Sequence, residues 1–525
     1  MKEALKHGLS GRPTLRRPFL SLLYLAIFIL FVFFSFNLAF AGVVTVDQGT
    51  TVNWGNSSDA PNYTGASTGT YQTMLTGQDI AGPVTFVSTG SIGTLSLAGS
   101  SAIAGAIGDS DSSLGALNIN GASSLVSLGG DSYITTTNFA NTATGATLSL
   151  APGITFNGNI TTTTPGNGIL VFQTTAGTAA TVNGNIGSLG NALAEVDVYQ
   201  SSGCLIDGDV VATDFAFKGN GGNVSIAAGH SITTTNAITV ASNGASTITY
   251  LGTTTIGKDL GSAAGNKFAY INFNGGTVTL GANLYTSTSS YADAATTVNN
   301  ATLNLTDDRT IGGKLTLKGG GSITGAGQEL TVNSGGSFDM QSGTISAILT
   351  GAVALNKTTA GTVTLTGANT YTGATAVNQG ILDLNGGSIG NTSSVSIGSA
   401  DGDGTLQLDS SSSSVSTAGD ITIGNSTGDG TLTTSGSVSA RNIYLGNDSS
   451  NYGTMTIYSG TTVTDTSGYI GYSTGALTNT VNVNGSNAKW TNSANIYVGY
   501  SGTGTLAISN GGAVTNVSGS VATNS

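Results

Sequence analysis

Residues 421–446 read ITIGNSTGDGTLTTSGSVSARNIYLG. The stretch carries one device twice, an aliphatic residue followed by glycine: Ile423-Gly424 and Leu445-Gly446. The pair recurs on either side, at Ile397-Gly398, Ile470-Gly471 and Val498-Gly499, with glycines 26, 22, 25 and 28 residues apart. A period in this range marks a solenoid or a propeller, and a propeller blade needs ~40 residues or more. The shorter period therefore predicts a β-solenoid, one coil of about three short strands per repeat, each coil burying its apolar face on its neighbours.

The rest of the chain agrees. TVTL at 362–365, ILDL at 381–384, SVSI at 394–397, TMTI at 454–457 and TVNV at 480–483 alternate with a period of two between Gly, Asn, Asp and Ser. No long helical pattern follows residue 41, and NALAEVDV at 191–198 comes nearest to one. Stacked strands bring the same position of successive coils into contact, so inward Val, Ile and Leu form ladders and like charges are disfavoured. The composition fits, with 80 Gly, 6 Pro and 8% charged residues among 525. Glycine allows tight corners, and proline, which cannot bond to the next coil, is absent after Pro165. About 20 coils and a rod of roughly 100 Å are expected at the strand spacing. The period divides the chain into irregular solenoid repeats at 42–350, one distinct repeat at 351–390 and a short-period array at 391–525.

The first 41 residues read as a secretory signal peptide. Lys2, Lys6, Arg12, Arg16 and Arg17 precede an uncharged run from Phe19 to Phe36, and Ala39-Phe40-Ala41 supplies small residues for cleavage after Ala41. An uncleaved membrane anchor is the alternative, since the run is long enough to span a bilayer. Residues 42–525 keep 9 Lys+Arg against 25 Asp+Glu, a balance of −16. Such a surface repels phosphate backbones, which argues against nucleic acid as a partner. Cys204 is the single thiol, so no intrachain disulfide can form.

At 357–386 the chain runs KTTAGTVTLTGANTYTGATAVNQGILDLNG, which resembles the autotransporter-associated β-strand repeat at Gly361, Leu365, Gly367, Asn369, Tyr371, Gly373, Thr375, Gly380 and Leu384. Residues 469–512, with Trp490, resemble a second and shorter repeat of exported autotransporter-like proteins. Residues 156–198 are similar to passenger repeats of large rickettsial-type surface antigens. The resemblances cover about half the chain and imply the passenger of a type V secretion system. They imply a right-handed parallel β-helix at the cell surface, in the outer membrane or outside a Gram-negative-type bacterium. They also imply a translocator barrel in the outer membrane as a partner. A barrel needs a series of ~10-residue amphipathic strands. The sequence reaches Ser525 without one, so the expectation is a frame cut short, with a barrel on another chain or a different export route as alternatives.

Short patterns with chemical meaning read as turns. Gly424–Gly428 and Gly471–Gly475 fit G-x-S-x-G, but both follow the aliphatic-glycine pair and neither has the strand-turn-helix setting of a nucleophile elbow. Gly108-Asp109-Ser110 lacks an Asp-x-x-His partner, and His230 has Ala at 227. Gly252–Lys258 matches a phosphate loop until Asp259 stands where a magnesium-binding hydroxyl belongs. Asp307-Asp308-Arg309 is the one cluster suited to a glycan-cleaving β-helix. Asp401, Asp403, Asp109 and Asp111 offer oxygens for calcium but read as acidic turns. Tyr444, Tyr469, Tyr472, Tyr497 and Tyr500 flank the aliphatic-glycine pairs and would either stack between coils or, if exposed, meet sugar rings. The expected protein is thus a non-enzymatic adhesin or interaction rod whose partner is a host or bacterial surface glycan or protein. No catalytic, cofactor or metal residue is assigned. The alternatives are a β-helical polysaccharide lyase or glycoside hydrolase, or a truncated, non-functional passenger fragment.

Overall fold

The computed structural model describes residues 79–521 apart from 81, 87–89, 174–177, 200–202, 289–293, 400–401, 427 and 476, and before them the strands Val44–Val46 and Pro61–Tyr63. The expected signal peptide lies outside the described residues. Among those residues there is no helix, and strand pairs with strand in parallel, one turn to the next. The architecture is a β-solenoid. Its longest ladder has 20 strands, in single file from Gly90–Leu97 to Ser518–Val521. At ~4.8 Å per rung that ladder is about 90 Å long.

Two further faces close the coil. From Thr254–Ile256 to Thr503–Ser509 a sheet of 12 strands forms the second side. A third side runs through Arg309–Ile311, Glu329–Val332 and Ile348–Thr350, then from Ala368–Asn369 to Ala513–Thr515. Nearer the N-terminus two sides merge into one bent strand. In Ser112–Ile119 the alternation of buried and exposed positions slips by one at Gly115-Ala116, where the strand rounds a corner. The segment 191–198, too short for a helix, holds the strand Leu193–Val198, whose Leu193, Val196 and Val198 enter core columns between neighbouring strands.

The aliphatic-glycine pairs are corners. Ile397, Ile423, Leu445, Ile470 and Val498 pair in one column, and the column continues to Val521. The glycine after each of the first five has φ between 68° and 76°, the left-handed region that side chains resist. A second column, Leu382, Leu406, Leu432, Met455 and Val481, fills the core behind the opposite sheet. Burying one such side chain contributes about 1.5–3 kcal/mol, so the stack of columns stabilises the rod without disulfides. Cys204 itself sits in a column between Ala180 and Val224, and burial pushes its thiol up to about 12.

Many of the acids serve the corners too. An Asx side-chain oxygen accepts the N–H of a residue one turn on. Asn159 caps Asn185, Asn185 caps Asp209 and Asp209 caps Ser231, each at 2.9 Å. Asp259 caps Asn283, Asp308 caps Glu329 and Asp429 caps Tyr452 at 2.7–2.8 Å. Each bond satisfies a backbone donor that the turn removes from the ladder.

Candidate functional site

The repeat at 357–386 builds a buried polar corner. Asn369, 1% exposed, donates to Gly367 O and Ser388 O and accepts from Leu349 N, all at 3.0 Å, so one amide ties three turns. The Tyr371 hydroxyl meets Thr375 Oγ1 at 2.7 Å, and Thr375 Oγ1 meets Thr392 Oγ1 at 3.0 Å. A Cβ at Gly373 would lie 2.3 Å from the Val353 carbonyl. Leu365 and Leu384 are core residues. The named residues of this repeat are therefore a folding device, turned inward.

The outward feature is a tyrosine ladder. Strands Asn442–Leu445, Ser467–Ile470 and Asn495–Val498 pair so that Tyr444, Tyr469 and Tyr497 stand one above another. Alternation sends Ile443, Leu445, Ile470 and Ile496 inward and the tyrosines outward. Gly471 and Gly499, at φ 68° and 74°, then swing Tyr472 and Tyr500 beside the first column. Ring centroids are 4.8 Å apart for Tyr444 and Tyr469, 4.9 Å for Tyr469 and Tyr497, and 5.4 Å for Tyr472 and Tyr500. Within these pairs the planes tilt by only 8–12°. Between columns the rings meet edge to face, as for Tyr469 and Tyr500 at 5.2 Å.

The ladder spacing is the strand spacing, so ring faces cover one another along the rod. All five rings are half-buried. The rings stack between coils while leaving a polar, aromatic surface. Desolvation raises the hydroxyls of Tyr444 and Tyr469 above the ordinary phenol value. Asn495 Nδ2 donates to the Tyr497 hydroxyl at 3.1 Å. In the turn of Tyr444, Arg441 reaches back one turn to grip Asp420 through Nε at 2.9 Å and Nη2 at 2.6 Å, which holds the Asp420 carboxyl below the usual range.

The other patterns fall in turns. Ser473 Oγ donates to Asn447 O at 2.8 Å, and Ser426 has a positive φ of 64°. Asp109 Oδ1 accepts from the N–H groups of Asp111 and Ser112 at 2.9 and 2.8 Å, a local turn. Thr254–Ile256 of the loop-like 252–258 is a strand, and Asp259 serves as a corner cap. Asp308 caps Glu329, and Arg309 donates to Asp308 O at 2.7 Å and Leu280 O at 3.3 Å. His230 lies between Asp207 and Asp209, at 3.3 and 3.7 Å. Asp403 Oδ1 accepts from Asp429 N at 3.0 Å, while Asp401 lies outside the described residues.

Three buried charges were not legible. Lys218 bonds Glu195 at 2.5 Å and lies 3.7 Å from Asp197, whose carboxyl burial pushes up to about 7. Lys357 points into a core column between Met340 and Val377, and its ammonium reaches the carbonyls of Thr359 and Gln379. Burial lowers it to about 8. Asp465 is buried beside Trp490, whose Nε1 donates to it at 3.3 Å, and burial raises its carboxyl to about 7. Only the i, i+2 spacing of Glu195 and Asp197 hinted at any of these.

Residues 355–384 match the passenger-associated-transport-repeat family. No curated protein and no solved structure matches the chain. The repeat and the stacked solenoid together fit an exported autotransporter passenger built from repeats.

Proposed function

We propose that this passenger-like solenoid is displayed at the bacterial surface and acts as an adhesive rod, with the tyrosine ladder as its main contact patch. The outward, half-buried tyrosine columns carry the reading. Tyrosine offers a large amphipathic surface at low entropic cost and is enriched among residues that dominate interfaces. A rod held by continuous core columns presents that patch without rearranging. The partner is a surface glycan or protein that meets ring edges and hydroxyls. The role requires no turnover, so replacing Asp307 and Asp308 with Ala leaves binding intact.

The test compares the chain with a Tyr472→Ser/Tyr500→Ser variant. Both positions follow their strands, and far-ultraviolet circular dichroism checks that the fold survives. Binding to host cells and to bacterial cells is measured for each. The expected loss is at least tenfold, the effect of about 1.4 kcal/mol or more at a hot spot. Unchanged binding by the folded variant would refute the assignment.

A further inference from the structure

We propose that the tyrosine ladder is a site of oxidative cross-linking, in which carbon–carbon bonds join Tyr469 to Tyr444 or Tyr497, and Tyr472 to Tyr500. This goes beyond the contact role and stands whether or not the ladder binds a partner. Two phenols in register, with ring centroids 4.8–5.4 Å apart and planes nearly parallel, are held where two phenoxyl radicals would need to meet. The rungs impose the alignment, since Tyr444, Tyr469 and Tyr497 are ladder partners. All five tyrosines are half-exposed, within reach of an outside oxidant.

The step balances as follows. A peroxide-charged haem peroxidase takes one electron and one proton from each of two phenols. The two radicals couple through their ortho carbons, and each ring carbon then gives its hydrogen back to its own oxygen. The product keeps both hydroxyls and lacks two hydrogens, and one peroxide becomes two waters. Among the described residues sulfur competes little, since Cys204, Met340 and Met455 are buried in core columns. The link would join residues 25 or 28 positions apart and fasten one turn to the next, in a chain with a single cysteine.

The internal control is the set of more exposed tyrosines. Tyr199, Tyr452 and Tyr458 are 43–44% exposed, and none has a ring contact among the described residues. The full chain, at low concentration, is treated with hydrogen peroxide and a haem peroxidase. Dityrosine fluorescence and peptide mass spectrometry are the readouts. The expected product is a monomer lighter by two hydrogens per link, with cross-linked peptides joining the ladder positions. Its unfolding equilibrium shifts by on the order of a hundredfold, as for a covalent loop of this length. Tyr469→Phe/Tyr472→Phe/Tyr500→Phe keeps the rings, leaves Tyr444 and Tyr497 two rungs apart and abolishes the intramolecular links. Links confined to Tyr199, Tyr452 or Tyr458, links only between chains, or none at all would overturn the proposal.

Discussion

Replacing Asn369 with Ala removes three hydrogen bonds at once. Gly367 O keeps a partner, because Ser388 N also donates to it at 3.0 Å. Ser388 O keeps the ladder bond of its parallel pairing with Ala368, so Leu349 N–H alone loses its partner, the amide oxygen at 3.0 Å. A buried donor left without a partner costs roughly 1–3 kcal/mol, which is the expected cost of the substitution. A stacked array need not unfold as one unit, and the effect falls first on the turns that Asn369 joins. Hydrogen exchange at the Leu349 amide reads it there. Protection should drop by roughly fivefold or more, at about 1.4 kcal/mol per decade. Asn369→Asp keeps the acceptor and loses the donors, so it should retain most of the Leu349 protection. If the amide of the Ala variant exchanges as slowly as the original, the corner does not hold the turns together as argued.

Other predictions concern charge and backbone. Asp465 has a folded pKa of about 7, raised by burial from 3.8. Its contribution is fully present below pH ~4 and lost as pH rises through ~7, an order-of-magnitude difference of about 4 kcal/mol. Asp465→Asn should flatten that part of the profile of denaturant midpoint against pH, and a profile equally steep in both proteins would contradict the linkage. At Gly424 (φ 72°) a Cβ would sit 2.5 Å from Tyr452 O, whereas at Gly460 (φ 76°) nothing lies within 4 Å. Gly460→Ala should cost about 1–2 kcal/mol for the left-handed backbone alone, and Gly424→Ala clearly more. Thermal melts showing equal costs would remove the steric part of the argument.

The period was legible because its carriers are local. Ile423-Gly424 and Leu445-Gly446 announce a corner by residue type alone, and the structure turns there. The tyrosines beside those pairs were visible for the same reason, and the rung register then decided their stacking. Other features depend on partners far along the chain. The oxygen of Asn185 caps a backbone donor 24 residues away, and nothing near residue 185 says so. In 191–198 the alternation is weakened by Ala192 and Ala194, and the neighbouring strands make Leu193–Val198 a strand. Lys357 occupies a column position that its polarity argues against. It is tolerated because two corner carbonyls receive its ammonium.

The one-turn pairing rule also has a mechanical side. The strand Ile421–Ile423 is bonded to Val395–Ile397 and Asn442–Leu445 and to no other strand of its sheet. A load applied at an outer turn is therefore borne by that turn's own ladder bonds before any turn beneath it feels strain. Each turn that detaches, 22 residues between Gly424 and Gly446 for example, lengthens the molecule by about 70 Å at ~3.4 Å per residue. Stretched from its ends, such a filament dissipates work in many small, similar steps. Work done on it is thereby spread over the rod, one turn at a time.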